Sequence, residues 1–126
     1  MAGRCRSGEA ARPALTAGAR RLLELKASAF QALGHSARLS ILEALRHGER
    51  CVCEIGPVLG LRQPNVSQHL SILKAAGLVA SRRDGTRVIY RVVDPAILDI
   101  IDLMGQVVRR QGEELAEAVT RSAWGT

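Results

Sequence analysis

A mainly α-helical chain carrying one small β-hairpin follows from three observations. Of the 126 residues 47% are hydrophobic but only 2% are aromatic. The core must therefore be Leu, Ile, Val and Ala, which suits helices better than a β-sandwich. Apolar residues recur at helical spacing through most of the chain, and the period changes from 3.6 to 2 over one stretch, Leu78–Val92. Within it Asp84-Gly85 lies between two β-prone runs, the strongest short hairpin signal. The length fits one domain with a single core.

A net charge of +6 and a pI near 10.2 point to a polyanionic partner, most simply nucleic acid. No apolar run approaches the roughly 18 residues that span a bilayer. The N-terminus, MAGRCRSGEAARPALTAG, has arginines but no apolar signal-peptide core, so a cytoplasmic protein without membrane partners is expected. Three cysteines, two of them in a CxC pair, argue against a disulfide framework and for reduced thiols.

Residues 1–18, rich in Gly, Ala, Arg and Ser, read as a flexible basic arm carrying Cys5. From Ala19 to Leu33 the residues Leu22, Leu25, Ala29, Phe30 and Leu33 recur at helical spacing before Gly34. Ser36 is placed to cap a second helix that buries Leu39, Ile41, Leu42 and Leu45 and ends at His47-Gly48. Glu49–Gly60 reads as a short third helix, interrupted or shortened around Gly56-Pro57. About two residues lead from there into Gln63–Ala76, QPNVSQHLSILKAA, with Pro64 in its first turn and Gly77 as its stop. Two helices joined by a short turn form a helix-turn-helix.

In the second of these, Val66, Leu70 and Leu73 fall on one stripe at 100° per residue, and Ile72 lies off it. The remaining face is Asn65, Ser67, Gln68, His69, Ser71 and Lys74: amides, hydroxyls and imidazole rather than the Glu and Lys of an ordinary solvated face. Asn and Gln pair with adenine edges in the major groove, and Ser reaches bases or phosphates. On the hairpin, Arg82, Arg83, Arg87 and Arg91 are either edge protection or, beside a helix-turn-helix, phosphate or minor-groove contacts. Asp94-Pro95 opens a last helix whose Ile97, Ile100, Ile101, Leu103, Met104, Val107 and Val108 cover an arc of about 160°, extended by Leu115, Ala118 and Val119. That stripe exceeds what one small domain's edge needs, so a homodimer joined through the first and last helices is expected. The chain thus divides into the arm at 1–18, a DNA-binding and dimerisation domain at 19–112, and an extension at 113–126 with the lone Trp124.

The strings LGHSARLSILEAL, CVCEI, QPNVSQHLSILKAAGLV and RRDGTRVIYRV, taken in this order, resemble the ArsR/SmtB family of bacterial metal- and metalloid-responsive repressors, from about Phe30 through Val92. The resemblance implies a winged helix-turn-helix homodimer that releases double-stranded operator DNA when an inducer binds. It puts Gln63, Asn65, Ser67, Gln68 and His69 at the recognition helix and makes the Arg82–Arg91 hairpin the wing. Cys51-Val52-Cys53 is similar to the pair found in arsenic-sensing and cadmium/lead-sensing members, with Arg50 where those usually have Leu. No His occurs in the last helix, so the interfacial zinc site of other members is not expected.

Two thiolates bind soft ions: As(III) or Sb(III) first, otherwise Pb(II), Cd(II) or Zn(II). Residues two apart in a regular helix project about 200° from each other, so one ion could reach both sulfurs only if the helix start frays or distorts. Capture would then pull on the helix that props the recognition helix. Arg50 should favour the thiolates. Cys5 on the arm is the candidate third ligand, and a water or Glu54 could complete four. A redox or reactive-sulfur switch within the same fold is the alternative, against which stands the strain expected of a disulfide between thiols two apart. A metal-buffering protein is the alternative from another class. No nucleophile elbow, phosphate loop or zinc-hydrolase motif is present, so an enzyme is not expected.

Overall fold

The computed structural model describes residues 14–123. In chain order the elements are α1 (Ala17–Leu33), α2 (Ser36–Ala44), β1 (Arg50–Cys51), α3 (Val52–Leu59), α4 (Gln63–Ala75), β2 (Val79–Asp84), β3 (Arg87–Val92) and α5 (Ala96–Ala123). Thr16 caps α1, its hydroxyl accepting from the Ala19 N–H at 3.0 Å. The cap of α2 is His35 rather than Ser36: the ring Nδ1 accepts from the Ala37 N–H at 3.1 Å, and Ser36 is already helical. This helix stops at Ala44, and a turn carries the chain to Gly48, whose φ of +146° suits glycine.

Contrary to the sequence expectation, α3 runs without a break through Gly56-Pro57 to Leu59. Pro57 cannot donate to the carbonyl four residues before it, that of Cys53, so one helical bond is missing. Burial of Val52, Ile55 and Gly56 outweighs that loss. Gly60 ends the helix at φ +69°, and Leu61-Arg62 lead into α4.

The expected two-stranded hairpin is a three-stranded antiparallel sheet of order β1-β3-β2. Arg50 pairs with Tyr90 and Cys51 with Ile89, while β2 and β3 register from Val79 opposite Val92 to Asp84 opposite Arg87. The tight loop is therefore Gly85-Thr86, one residue later than the Asp-Gly signal suggested, with Gly85 taking the positive φ of +65°. Asp84 is the last paired residue of its strand.

The core forms where α2, α3 and α4 meet. Ile41, Leu42, Ile55, Val66, Leu70 and Leu73 are fully buried, each contributing roughly 1.5–3 kcal/mol. Leu78, Val79 and Ile97 and Leu98 of α5 close this cluster. Beyond Leu98 the last helix leaves the core: Leu103, Met104, Val108, Leu115 and Val119 are exposed, as are Leu22, Leu25 and Phe30 of α1. Asp94 caps α5 by accepting from the Ala96 N–H at 2.9 Å, and the helix runs unbroken across residues 112 and 113. Arg46 ties α2 to α5 by bridging Glu43 and Asp102 at 2.6 and 2.7 Å. Among the described residues no helix is long and apolar enough to cross a membrane.

Candidate functional site

Helix α4, the second of the helix-turn-helix, buries the stripe Val66, Leu70 and Leu73 and turns the rest of its surface outward. Gln63, Asn65, Ser67, Gln68, Ser71 and Lys74 are exposed. Two of these polar groups are engaged within the chain. The Ser71 hydroxyl donates to the Ser67 carbonyl at 3.0 Å, and Lys74 Nζ donates to Ser81 Oγ at 2.8 Å, tying the helix to the base of the hairpin. Gln63, Asn65, Ser67 and Gln68 leave their side chains outward around the first turns.

His69 is set differently. It is half-buried, its ring 4.7 Å from that of His35, with Arg38 Nη1 at 3.4 Å from its Nδ1. A guanidinium only donates, so Nδ1 accepts and the neutral ring carries its proton on Nε2. Burial first, and then the electrostatic influence of the neighbouring His35 ring and the Arg38 guanidinium, hold its pKa below the ordinary imidazole value. Arg38 also donates to the Ala32 and Gln31 carbonyls at the end of α1, so this cluster joins three helices.

All four hairpin arginines are exposed. Cross-strand partners share a face of the sheet, so Arg82, Arg87 and Arg91 lie on the face that Cys51 joins, and Arg83 lies on the other with Ser81 and Tyr90. Arg82 is bound bidentately by Glu49, at 2.8 and 3.2 Å, and Arg87 donates to Glu54 at 3.3 Å. The carboxyl of Glu49 is held below its usual range chiefly by the hydrogen bond from Arg82. Sequence reasoning missed these pairs, because partners 33 residues apart leave no local signal.

Cys51 is both the last residue of β1 and the N-cap of α3, with extended backbone (φ −72°, ψ 147°). Its sulfur accepts from the Cys53 N–H at 3.1 Å, and Glu54 closes a capping box by accepting from the Cys51 N–H at 2.9 Å. The two Cα atoms are 5.1 Å apart and the sulfurs are joined as a disulfide, Cys51 buried and Cys53 exposed. This corrects two expectations. The cysteines are not both helical, so the 200° separation does not apply and no fraying is needed to bring the sulfurs together. They are also bonded, where separate reduced thiols were expected. Cys5 and the other arm residues lie outside the described residues, as does Trp124. Among the described residues no group of three or more His, Cys, Asp or Glu is placed to hold a metal ion.

The cysteine pair, α4 and the hairpin meet in one cleft of about 380 Å³, lined by Cys51, Cys53, Gln63, Ser67, Arg87 and Tyr90 among others. A second, almost wholly apolar groove of about 420 Å³ lies between α1 and α5, lined by Phe30, Leu33, Leu39, Ile100, Met104 and Val108 among others.

Residues 35–81 match the family model described as bacterial regulatory protein, arsR family. The uncharacterised HTH-type transcriptional regulator Rv0081 of Mycobacterium tuberculosis is 41% identical over 90 residues, which are 71% of this chain and 79% of the relative. The homodimeric winged helix-turn-helix DNA-binding domain of Mb0332 from Mycobacterium bovis superposes with a TM-score of 0.71 at 32% identity, covering 82% of this chain and 95% of that one. The antimony-specific transcriptional repressor AntR superposes with a TM-score of 0.61 at 27% identity, over 90% of this chain and 99% of its own.

Proposed function

The chain belongs to the arsR family of bacterial regulatory proteins, which are winged-helix transcriptional regulators and not enzymes, and we propose that it is a homodimeric repressor released from its operator by a thiophilic inducer. In this reading α4 enters the major groove. Asn65 and Gln68 read base edges, Gln63 and Ser67 serve bases or phosphates, and the wing supplies Arg83, with Arg82 and Arg87, to the backbone. His69, turned toward His35 and Arg38, contributes by fixing the helix against α1 and α2.

The observation that carries the sensor assignment is the single cleft in which Cys51 and Cys53 face Gln63 and Ser67 of α4 and Arg87 of the wing. A ligand on the sulfurs changes the start of α3, and α3 packs directly against α4, with Ile55 and Val66 buried in the same core cluster. Arsenite or antimonite fits two sulfurs plus one further thiolate, for which Cys5 of the arm is the candidate. Lead, cadmium and zinc are the other inducers this donor set admits. The antimony-specific relative AntR supports the metalloid end of that range. The exposed apolar faces of α1 and α5, with the groove between them, are the dimer surface of this reading.

A second reading, release by oxidation, is favoured by the direct bond between the two sulfurs. One experiment separates the two. Reduced protein bound to the DNA upstream of its own gene is titrated with arsenite, antimonite, lead, cadmium and zinc, then with a mild oxidant, and all are repeated with Cys51→Ser/Cys53→Ser. Release by an ion only when the pair is intact is the expected result. Release by the oxidant alone transfers the assignment to the thiol switch. Release that ignores the double substitution removes the pair from the sensor.

A further inference from the structure

The segment that carries the cysteines also carries two carboxylates, one on each side, and each holds an arginine of the wing. Glu49 binds Arg82 through two oxygens at 2.8 and 3.2 Å. Glu54 Oε1 accepts from Arg87 at 3.3 Å and from the Cys51 backbone N–H at 2.9 Å. One oxygen is thus shared between the N-cap of α3 and a wing cation. Arg82 and Arg87 lie on the sheet face that Cys51 joins opposite Ile89. An arginine neutralised in this way attracts phosphate weakly, and a carboxylate left behind would repel it.

We infer that Glu54 is a positioning residue that reports the state of the Cys51–Cys53 pair to the DNA-facing wing. With the sulfurs bridged, Cys51 is fixed at the N-cap, Glu54 keeps its bond to Cys51 and retains Arg87, and Glu49 retains Arg82. Two wing cations are thereby withheld from DNA. Separating the sulfurs loosens the first turn of α3, and Glu54 and Arg87 part. This inference rests on the proposed sensor role of the pair.

The test uses the full chain in a Cys5→Ser background, so that Cys51 and Cys53 are the only thiols. The bridged form is made with diamide: two thiols lose two protons and two electrons to its N=N bond, giving one S–S bond and a hydrazine. The dithiol form is held with a phosphine reductant. Binding to the upstream duplex is measured over a range of salt. Bridging should weaken the unsubstituted background and flatten its salt dependence by about one to two units, since each phosphate contact adds about 0.9 to the slope.

Glu54→Gln keeps an oxygen for the Cys51 N–H but loses the charge on Arg87. Its bridged form should regain about one unit of slope and about twofold to fivefold in affinity, the range of an exposed ion pair. Asp99→Asn makes the same charge change in the first turn of α5, away from the wing, at an exposed carboxylate with no ion pair among the described residues, and should leave the bridged-to-dithiol difference intact. Arg87→Gln should lower the slope of the dithiol form alone. The inference is overturned if Glu54→Gln responds to bridging as the background does, or if Arg87→Gln lowers both slopes equally. If the background ignores diamide while arsenite still releases it, the inference falls and the metalloid reading stands. If neither reagent acts, the sensor reading falls with it.

Discussion

Replacing Gly56 with alanine tests how the turn before the recognition helix is held. A Cβ at this position would sit 2.9 Å from the Leu61 carbonyl oxygen, a backbone atom, and 3.6 Å from Val66 Cγ2. The same carbonyl and its neighbours cannot retreat freely, because the Leu61 N–H donates to the Gly56 carbonyl at 2.9 Å. A helix-interior glycine-to-alanine change ordinarily gains about 0.5–1 kcal/mol. Overpacking against a fixed neighbour costs about 1–3 kcal/mol. The two ranges leave a net loss of between about 0 and 2.5 kcal/mol, with a melting temperature lower by several degrees toward the upper end. Gly112, within α5 and with open space around it in the single protomer, lies on the apolar face of that helix, so it serves as the control in a Met104→Glu monomeric background, where Gly112→Ala should gain about 0.5–1 kcal/mol. The assay is denaturant unfolding at fixed protomer concentration, because dimerisation contributes to apparent stability. Opposite signs for one chemical change are the signature. A Gly56→Ala protein stabilised to the same extent as Gly112→Ala would refute the close approach of α3 to the turn and the positional argument built on it.

Further outcomes are expected at other points. Asn65→Ala or Gln68→Ala should weaken operator binding by about 1–3 kcal/mol each and relax preference at one base pair; equal loss on all duplexes would make these residues phosphate contacts. His69 has a folded pKa below its unfolded value, so the folded state binds fewer protons and its contribution is fully present above about pH 6.5. Stability should therefore decline as pH falls from 6.5 through the lower folded pKa, and His69→Gln should flatten that part of the profile; an unchanged profile would assign the acid loss elsewhere. Met104→Glu places a charge in the exposed groove between α1 and α5 and should shift sedimentation from dimer toward monomer; a variant that sediments as the parent dimer removes this face from the interface.

What was legible in the sequence was what local periodicity encodes. The stripe Val66, Leu70 and Leu73 is buried as spaced, and Asp94 caps the last helix as its position before Pro95 suggested. Strand β1 was invisible because two residues cannot display alternation, and only pairing with Ile89 and Tyr90 makes them a strand. The geometry of the cysteines depended on that same pairing, so reasoning from helix angles misplaced Cys51. Pro57 marks an interruption in the sequence because its local cost is visible there, whereas the burial of Ile55 and Gly56 that offsets it is not. The capping by His35 and the ion pairs of Arg82 and Arg87 likewise needed three dimensions.

The passage from strand to helix is completed at one residue, since Cys51 closes β1 and opens α3. Inserting or deleting a residue between Glu49 and Val52 would slip the sheet register by one and send the first sulfur to the opposite face. This segment therefore tolerates changes of side chain far better than changes of length. If the pair is the sensor proposed above, a lineage could exchange the donor atoms displayed at Cys51 and Cys53, and with them the inducing ion, while spacing stays frozen. Chemical diversification by substitution on an invariant backbone frame is the evolutionary path this junction leaves open.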